Sequence, residues 1–201
     1  LDQDDPIAGW LKLEAEQQRL IDFLSGKQRL HVKGEHIDLQ MSLAGRRWMN
    51  ASGRINFPDG EIFTAPVEDS VNGWVRFTYP AFYNGGVVRG AMLRFEDGVI
   101  VQATAQEGEA FLNAVLDTDS GARRLGEFAI GTNRGIDRFT GHILFDEKIH
   151  GTVHMAVGRA YPQTGGVNQS RIHWDMICDM RSGGQIFADD VLFYQNGEFL
   201  I

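Results

Sequence analysis

Two-residue turns punctuate this chain. Asp97-Gly98 and Asn196-Gly197 each separate two short apolar runs, and RLHVKGEHIDLQMSL alternates polar with apolar residues around Lys33-Gly34. Asn-Gly and Asp-Gly suit hairpins because both central residues adopt a positive φ at little cost. A chain built on such turns pairs its neighbouring strands antiparallel. GRRWMNASGRINFPDGEIFTAPVEDSVNG, WVRFTYPAF and VVRGAMLRFEDGVIVQATAQ continue with short strands and tight turns. HILFDEKIHGTVHMAVG and SRIHWDMICDM read as buried strands.

Two segments break the pattern. Residues 5–25 read as a helix: Asp5 caps it, Pro6 suits its first turn, Ile7, Trp10, Leu13, Leu20 and Leu24 recur at helical spacing, and Gly26 ends it. EGEAFLNAVLDTDSGARRLG, residues 107–126, reads as one or two helices. With no internal repeat and no linker, the expectation is one α+β domain, strand-rich, with a mixed or barrel-like sheet and a few helices.

The 201 residues are 43% hydrophobic and 23% charged, enough apolar material for a sizeable core. A net charge of −8 opposes nucleic acid or an anionic membrane as partner. No apolar run approaches the ~20 residues of a membrane helix. No basic leader precedes an apolar block, so no secretory signal is expected. Cys178 is the single cysteine and fits a reducing compartment, most simply the cytoplasm. The chain starts at Leu1 and enters a helix almost at once, as expected of a fragment.

IHWDM, residues 172–176, holds the chemistry. Residues i and i+2 of a strand share a face, so His173 and Asp175 project side by side and Trp174 and Met176 face the other way. A buried carboxylate needs a partner. A His–Asp hydrogen bond in the core and a pair of metal ligands both supply one. His154 sits in an apolar, β-branched strand, Glu61 at the start of another, and Glu127 beside Gly126 ahead of an apolar run. Each alone has an ordinary reading, as a core histidine or a solvated strand end. Together, three carboxylates and two imidazoles suit Zn²⁺, Co²⁺ or Mn²⁺ rather than Ca²⁺. They exceed what one tetrahedral ion requires, and a carboxylate shared between two ions uses them well.

FPDGEIFTAPVEDSVNG, RRLGEFAIGTN, ILFDEKIHGTVHMAVGRAYPQTGG and NQSRIHWDM resemble the C-terminal half of the thermophilic aminopeptidases, or leucyl aminopeptidase T family, two-metal exopeptidases forming metallopeptidase family twenty-nine. The resemblance runs from about Asp5 to the end. It implies that Glu61, Glu127, His154, His173 and Asp175 are metal ligands and that Tyr161 belongs to the metal centre. It also implies a homodimer and an N-terminal α/β domain outside this chain, which makes residues 1–201 the C-terminal metal-binding and catalytic domain of a larger aminopeptidase. Two departures stand out. The segment between Tyr161 and His173 is shorter than in some members, and His150 stands where the FDEKIGG-type pattern has glycine. His150 is expected to be exposed and non-ligating, because Gly151 bends the chain before His154. His31, His36 and His142 are expected to be structural or surface residues, and Cys178 a core thiol facing away from the ligands.

The implied reaction is hydrolysis of the N-terminal peptide bond of a peptide with a free α-amine, by water activated between two divalent ions. Tyr161 is expected to coordinate an ion or to donate to the oxyanion. Glu68, in the turn after the Glu61 strand, is the candidate general base, and Glu147 and Lys148 are either supports of the ligands or a surface pair. Two rivals remain. His154, His173 and Asp175 can form a facial triad for one Fe(II), as in non-haem oxygenases. The fragment can also be a dimerisation and metal-binding module that is inactive by itself.

Overall fold

The computed structural model describes residues 5–201. They form α1 (Pro6–Leu24), β1 (Arg29–Gly34), β2 (Ile37–Ser42), β3 (Met49–Ala51), β4 (Glu61–Thr64), β5 (Asn72–Arg76), β6 (Ala81–Tyr83), β7 (Gly86–Val88), β8 (Met92–Glu96) and β9 (Val99–Thr104). There follow α2 (Glu109–Leu116), β10 (Leu125–Gly131), α3 (Ile143–Asp146), β11 (Thr152–Gly158), β12 (His173–Asp179), β13 (Gln185–Ala188), β14 (Val191–Gln195) and β15 (Glu198–Phe199). The α+β class expected from the sequence is found. The sheets are open rather than closed into a barrel. One has the order β15-β14-β13-β1-β2-β5-β8-β9, the second β12-β11-β10-β4-β3, and β6 pairs with β7 alone. Every pair of neighbouring strands is antiparallel.

The turns explain that topology. Asp97-Gly98 (φ 47° and 77°) and Asn196-Gly197 (φ 52° and 85°) both take the left-handed conformation that closes a two-residue hairpin. Lys33-Gly34 does not. The loop there is Glu35-His36, because Gly34 stays in the ladder opposite Ile37 and Lys33 opposite Asp38.

One apolar cluster joins the inner faces of the two larger sheets, with Leu30, Val32, Ile37 and Leu39 on one side and Ile62, Phe128, Val153 and Trp174 on the other. In β1 and β2 alternate residues are buried, so the other face meets solvent. β10 and β11 are buried along their whole length. Their second face therefore needs a cover of its own, and it carries Glu127, Thr152 and His154 among alanines and glycines.

Two helical expectations hold and one strand expectation is corrected. Residues 107–126 give one helix, α2, followed by turns. The stretch from His142 is not strand until Thr152: Asp146 accepts hydrogen bonds from Thr140 N (2.7 Å) and Thr140 Oγ1 (2.8 Å), which folds residues 140–146 back on themselves and leaves α3 as a single short turn. Helix α1 starts as expected, with Asp5 accepting from Ala8 N at 3.0 Å, but only Gln17, Leu20, Ile21 and Leu24 are buried and Ile7 is 73% exposed. Its buried polar residue, Gln17, donates from Nε2 to Ala51 O (3.1 Å) and Glu61 O (2.5 Å), tying the helix to β3 and β4. Among the described residues no helix is long and apolar enough to cross a membrane.

Candidate metal centre

The register of the second sheet brings the sequence-selected residues together. Ala156 pairs with Glu127 on one side and Asp175 on the other, and Gly158 pairs with His173. His154 pairs with Ala129, and Glu61 with Gly131. Paired residues of an antiparallel sheet share a face, as do residues two apart along a strand. Glu61, Glu127, His154, His173 and Asp175 therefore occupy one face of four consecutive strands. Between them lie Ala129 and Ala156, whose methyl groups fill little of the space. The opposite face carries Ile62, Phe128, Ile130, Met155, Trp174, Met176 and Cys178 in the core. A one-residue slip of any strand would exchange its two faces and dissolve the constellation.

Ligand atoms of Glu61, Glu127 and His154 lie within 4.8 Å of one another, and so do those of Glu127, His173 and Asp175. Glu127 belongs to both groups. His154 Nε2 is 2.9 Å from Glu61 Oε2 and 3.6 Å from Glu127 Oε1. His173 Nε2 is 3.4 Å from Glu127 Oε2 and 3.5 Å from Asp175 Oδ2. These are ion-pair distances without hydrogen-bond alignment: Glu61 Oε2, Glu127 Oε2 and His154 Nδ1 are buried with no hydrogen-bond partner among the described residues. A buried polar atom left unpaired costs about 1–3 kcal/mol, more if charged. Unpaired carboxylate oxygens of Glu61 and Glu127 beside the Nε2 atoms of His154 and His173 make a mixed nitrogen and oxygen set that fits divalent transition ions. The His173 ring is aimed by Arg159 O, which takes its Nδ1 at 2.8 Å and leaves Nε2 toward the carboxylates.

The charges are mutually dependent. Burial pushes the Glu127 carboxyl up, but His154 and His173 outweigh it and hold it down at about 2. Burial favours a neutral His173, and Glu127 and Asp175 reverse this, raising the ring to about 9. His154 is raised in the same way against burial, by Glu61 and Glu127. Asp175 is pushed up by burial, which the nearby His173 only partly offsets.

Sequence reasoning underrated a neighbouring cluster. Lys148 is fully buried rather than one half of a surface pair, its Nζ 2.5 Å from Glu61 Oε1, 2.6 Å from Glu147 Oε1 and 3.6 Å from Asp59 Oδ1. Glu147 forms a third group of close ligand atoms with His154 and Asp175. Burial and the charges of Asp175 and Glu61 push its carboxyl up to about 7. The short turn α3 is what points FDEK inward, and nothing in the alternation of FDEK signals that turn. Asp59, next to the turn before β4, was legible only as part of a Pro-Asp-Gly loop.

The Tyr161 ring lies against His173, centroids 4.8 Å apart, and against Phe63 at 5.9 Å. Burial and the carboxylates Glu127, Asp175 and Glu147 push its phenol up to about 12. Glu68 stands elsewhere: its carboxylate pairs with Arg46 and accepts from Val167 N at 2.7 Å. His150 is outside the constellation, as expected, but it is not exposed; it packs beside Glu198, 3.4 Å away, and its ring is 14% exposed. His31 pairs with Asp38 at 2.7 Å and His142 stacks edge-on against Phe145. Cys178 is in the core, facing away from the ligands, and burial pushes its thiol up to about 12.

Comparison with known proteins identifies the family. The thermophilic metalloprotease family (M29) matches residues 1–199. Aminopeptidase 2 of Geobacillus stearothermophilus is 36% identical over 206 residues, covering 88% of this chain and 49% of that protein. Aminopeptidase T of Thermus aquaticus is 36% identical over 202 residues, covering 88% and 50%. The chain thus spans about half the length of these relatives. Among solved structures, wild-type AmpT from Thermus thermophilus superposes with a TM-score of 0.86 at 31% identity, over 98% of this chain and 56% of that one. A 2,5-dihydroxypyridine dioxygenase from Pseudomonas putida KT2440 shares the fold, with a TM-score of 0.73 at 18% identity over 90% of this chain and 57% of that one. The resemblance first read from the FPDGEIFT, RRLGEFAIG and RIHWDM segments is a membership: this chain belongs to the thermophilic metalloprotease family M29.

Proposed function

We propose that this chain carries the catalytic centre of a metallo-aminopeptidase, in which Glu61, Glu127, His154, His173 and Asp175 hold two divalent ions of Zn, Co or Mn. One observation carries the reading: the Glu127 carboxylate is what the Glu61–His154 group and the His173–Asp175 group have in common, the role of a carboxylate shared between two ions. Such a pair of ions polarises a peptide carbonyl and lowers the pKa of water to ~7.

The chain's own residues supply the rest. The Tyr161 phenol, raised to about 12, keeps its proton at neutral pH and donates it as a hydrogen bond to the oxyanion. Glu147, its carboxyl raised to about 7 by burial and by the charges of Asp175 and Glu61, takes the proton released by the attacking water. Glu68, spent on Arg46 and Val167, is the weaker candidate for that base. A substrate with a free α-amine enters a site ringed by Glu61, Glu127, Glu147 and Asp175, which favours exopeptidase over internal cleavage. The same reading takes the protein to be a cytoplasmic homodimer whose remaining half is an N-terminal α/β domain.

The mononuclear iron reading is weaker. His154 and His173 fall in different ligand groups, and the dioxygenase likeness is one of fold alone. Hydrolysis of an aminoacyl chromogenic substrate by the full-length protein, assayed beside this half, tests the proposal. The expected result is turnover by the full-length protein that is abolished by a chelator, restored by Zn²⁺, Co²⁺ or Mn²⁺, and absent on the N-acetylated substrate. Equal turnover of the acetylated substrate contradicts it.

A further inference from the structure

The segment from Tyr161 to Asn168 is a strap whose two ends meet: Ala160 N donates to Asn168 O at 3.1 Å. Inside it Thr164, fully buried, donates from Oγ1 to Tyr161 O (2.6 Å) and accepts from Gly166 N (3.2 Å). Arg47 N donates to Thr164 O at 2.9 Å. A Cβ on Gly166 would come within 2.6 Å of the Ala160 methyl and 2.7 Å of the Ala65 methyl, so the strap lies tight against the body.

Two side chains grip it from outside. Arg46 donates to Gly165 O and pairs with Glu68, and Glu68 Oε1 accepts from Val167 N at 2.7 Å. The Arg46 and Glu68 side chains are only 10% and 20% exposed. The Glu68 backbone is itself fixed, its carbonyl taking Arg124 Nη1 at 2.7 Å. Glu68 thus links a rigid part of the fold to the loop that sets Tyr161 against His173.

We propose that the Arg46–Glu68 pair is a clamp that positions Tyr161 at the metal centre. Glu68 is then a positioning residue acting through the strap. The inference rests on the function proposed above for its kinetic consequence, and on the geometry alone for the clamp. It is tested in the metal-loaded, full-length protein with Glu68→Ala, Glu68→Gln, Tyr161→Phe and the double variant Glu68→Ala/Tyr161→Phe. Hydrogen exchange over residues 161–171 should quicken at least tenfold in Glu68→Ala, and less in Glu68→Gln, whose amide oxygen still accepts from Val167 N. Metal content should be unchanged. Glu68→Ala should lower kcat about as much as Tyr161→Phe, Glu68→Gln should recover part of it, and the double variant should be no slower than Tyr161→Phe. Unchanged exchange in both Glu68 variants, or losses that multiply in the double variant, overturns the clamp. A wild type without peptidase activity overturns the function proposed above, and the exchange measurement then decides the clamp by itself.

Discussion

His154 Nε2 stands 2.9 Å from Glu61 Oε2, and the ring is held protonated by the carboxylates around it in the absence of an ion. An ion must therefore displace a proton. His173 behaves alike, its ring raised to about 9 against burial by Glu127 and Asp175. Zn²⁺ uptake at neutral pH should release protons, and affinity should rise with pH up to about 9. Calorimetry in buffers of different ionisation enthalpy measures the release. Uptake without proton release contradicts the linkage.

The same groups set the stability of the metal-free protein. A histidine whose folded value exceeds its unfolded ~6.5 stabilises fully below that value, and the contribution is lost as pH rises through the folded value. For His173 the window ends at about 9. Urea midpoints of the metal-free protein should fall between about pH 6 and about pH 9.5, and the fall should shrink in the loaded protein, where the imidazoles are neutral throughout. A rising midpoint over that range contradicts the pairing.

Lys148 is a buried cation among Glu61, Glu147 and Asp59. Lys148→Met leaves negative charge without compensation and should destabilise the metal-free protein by roughly 3–5 kcal/mol, the usual loss on breaking a buried ion pair. Bound dications replace part of the lost charge, so the loaded protein should lose less. Equal losses in both forms would remove the link between Lys148 and the centre.

Gly126 is a place where the fold meets the chemistry. A Cβ there would approach Arg159 O within 2.3 Å, and that carbonyl holds His173 Nδ1 at 2.8 Å. Gly126→Ala should shift the carbonyl, misdirect the ring and weaken metal binding by about 10–100-fold without removing a ligand. Competition with a chromogenic chelator reads the change, and wild-type affinity in this variant would show that the carbonyl does not aim the ring.

The chain announces its strands through alternation and its hairpins through Asp97-Gly98 and Asn196-Gly197, because those features act within a few residues. It also announces His173 and Asp175 as neighbours, since i and i+2 share a strand face whatever the sheet. What pairs with what is not local. That Ala129 faces His154 and Gly131 faces Glu61 is decided by the packing of whole sheets, so the convergence of the five was legible through family resemblance rather than spacing. Glu147 and Lys148 read equally as supports of the ligands or as a surface pair, because their burial depends on Asp146 folding residues 140–146 back. Asn84-Gly85 makes a further left-handed turn, φ 46° and 82°, hidden in the sequence by the glycine beside it. Glu68 reads as a candidate base, and its engagement by Arg46 and Val167 N, distant in sequence, is not legible there.

Cys178 is buried, and its thiol is pushed up to about 12 by burial. A thiol that neither ionises nor meets solvent does not react. Native protein should leave a thiol-specific chromogenic reagent uncoloured for as long as it stays folded, and denaturant should release one equivalent. Prompt native reaction would contradict the core placement.

The central claim is that Glu127 is shared between two ions. Anomalous scattering from zinc-loaded crystals of the wild type and of Glu127→Ala tests it most directly. The expected result is two peaks per chain in the wild type, one near Glu61 and His154 and the other near His173 and Asp175, and the loss of both in the variant. A single wild-type peak, or a variant that keeps both, contradicts it.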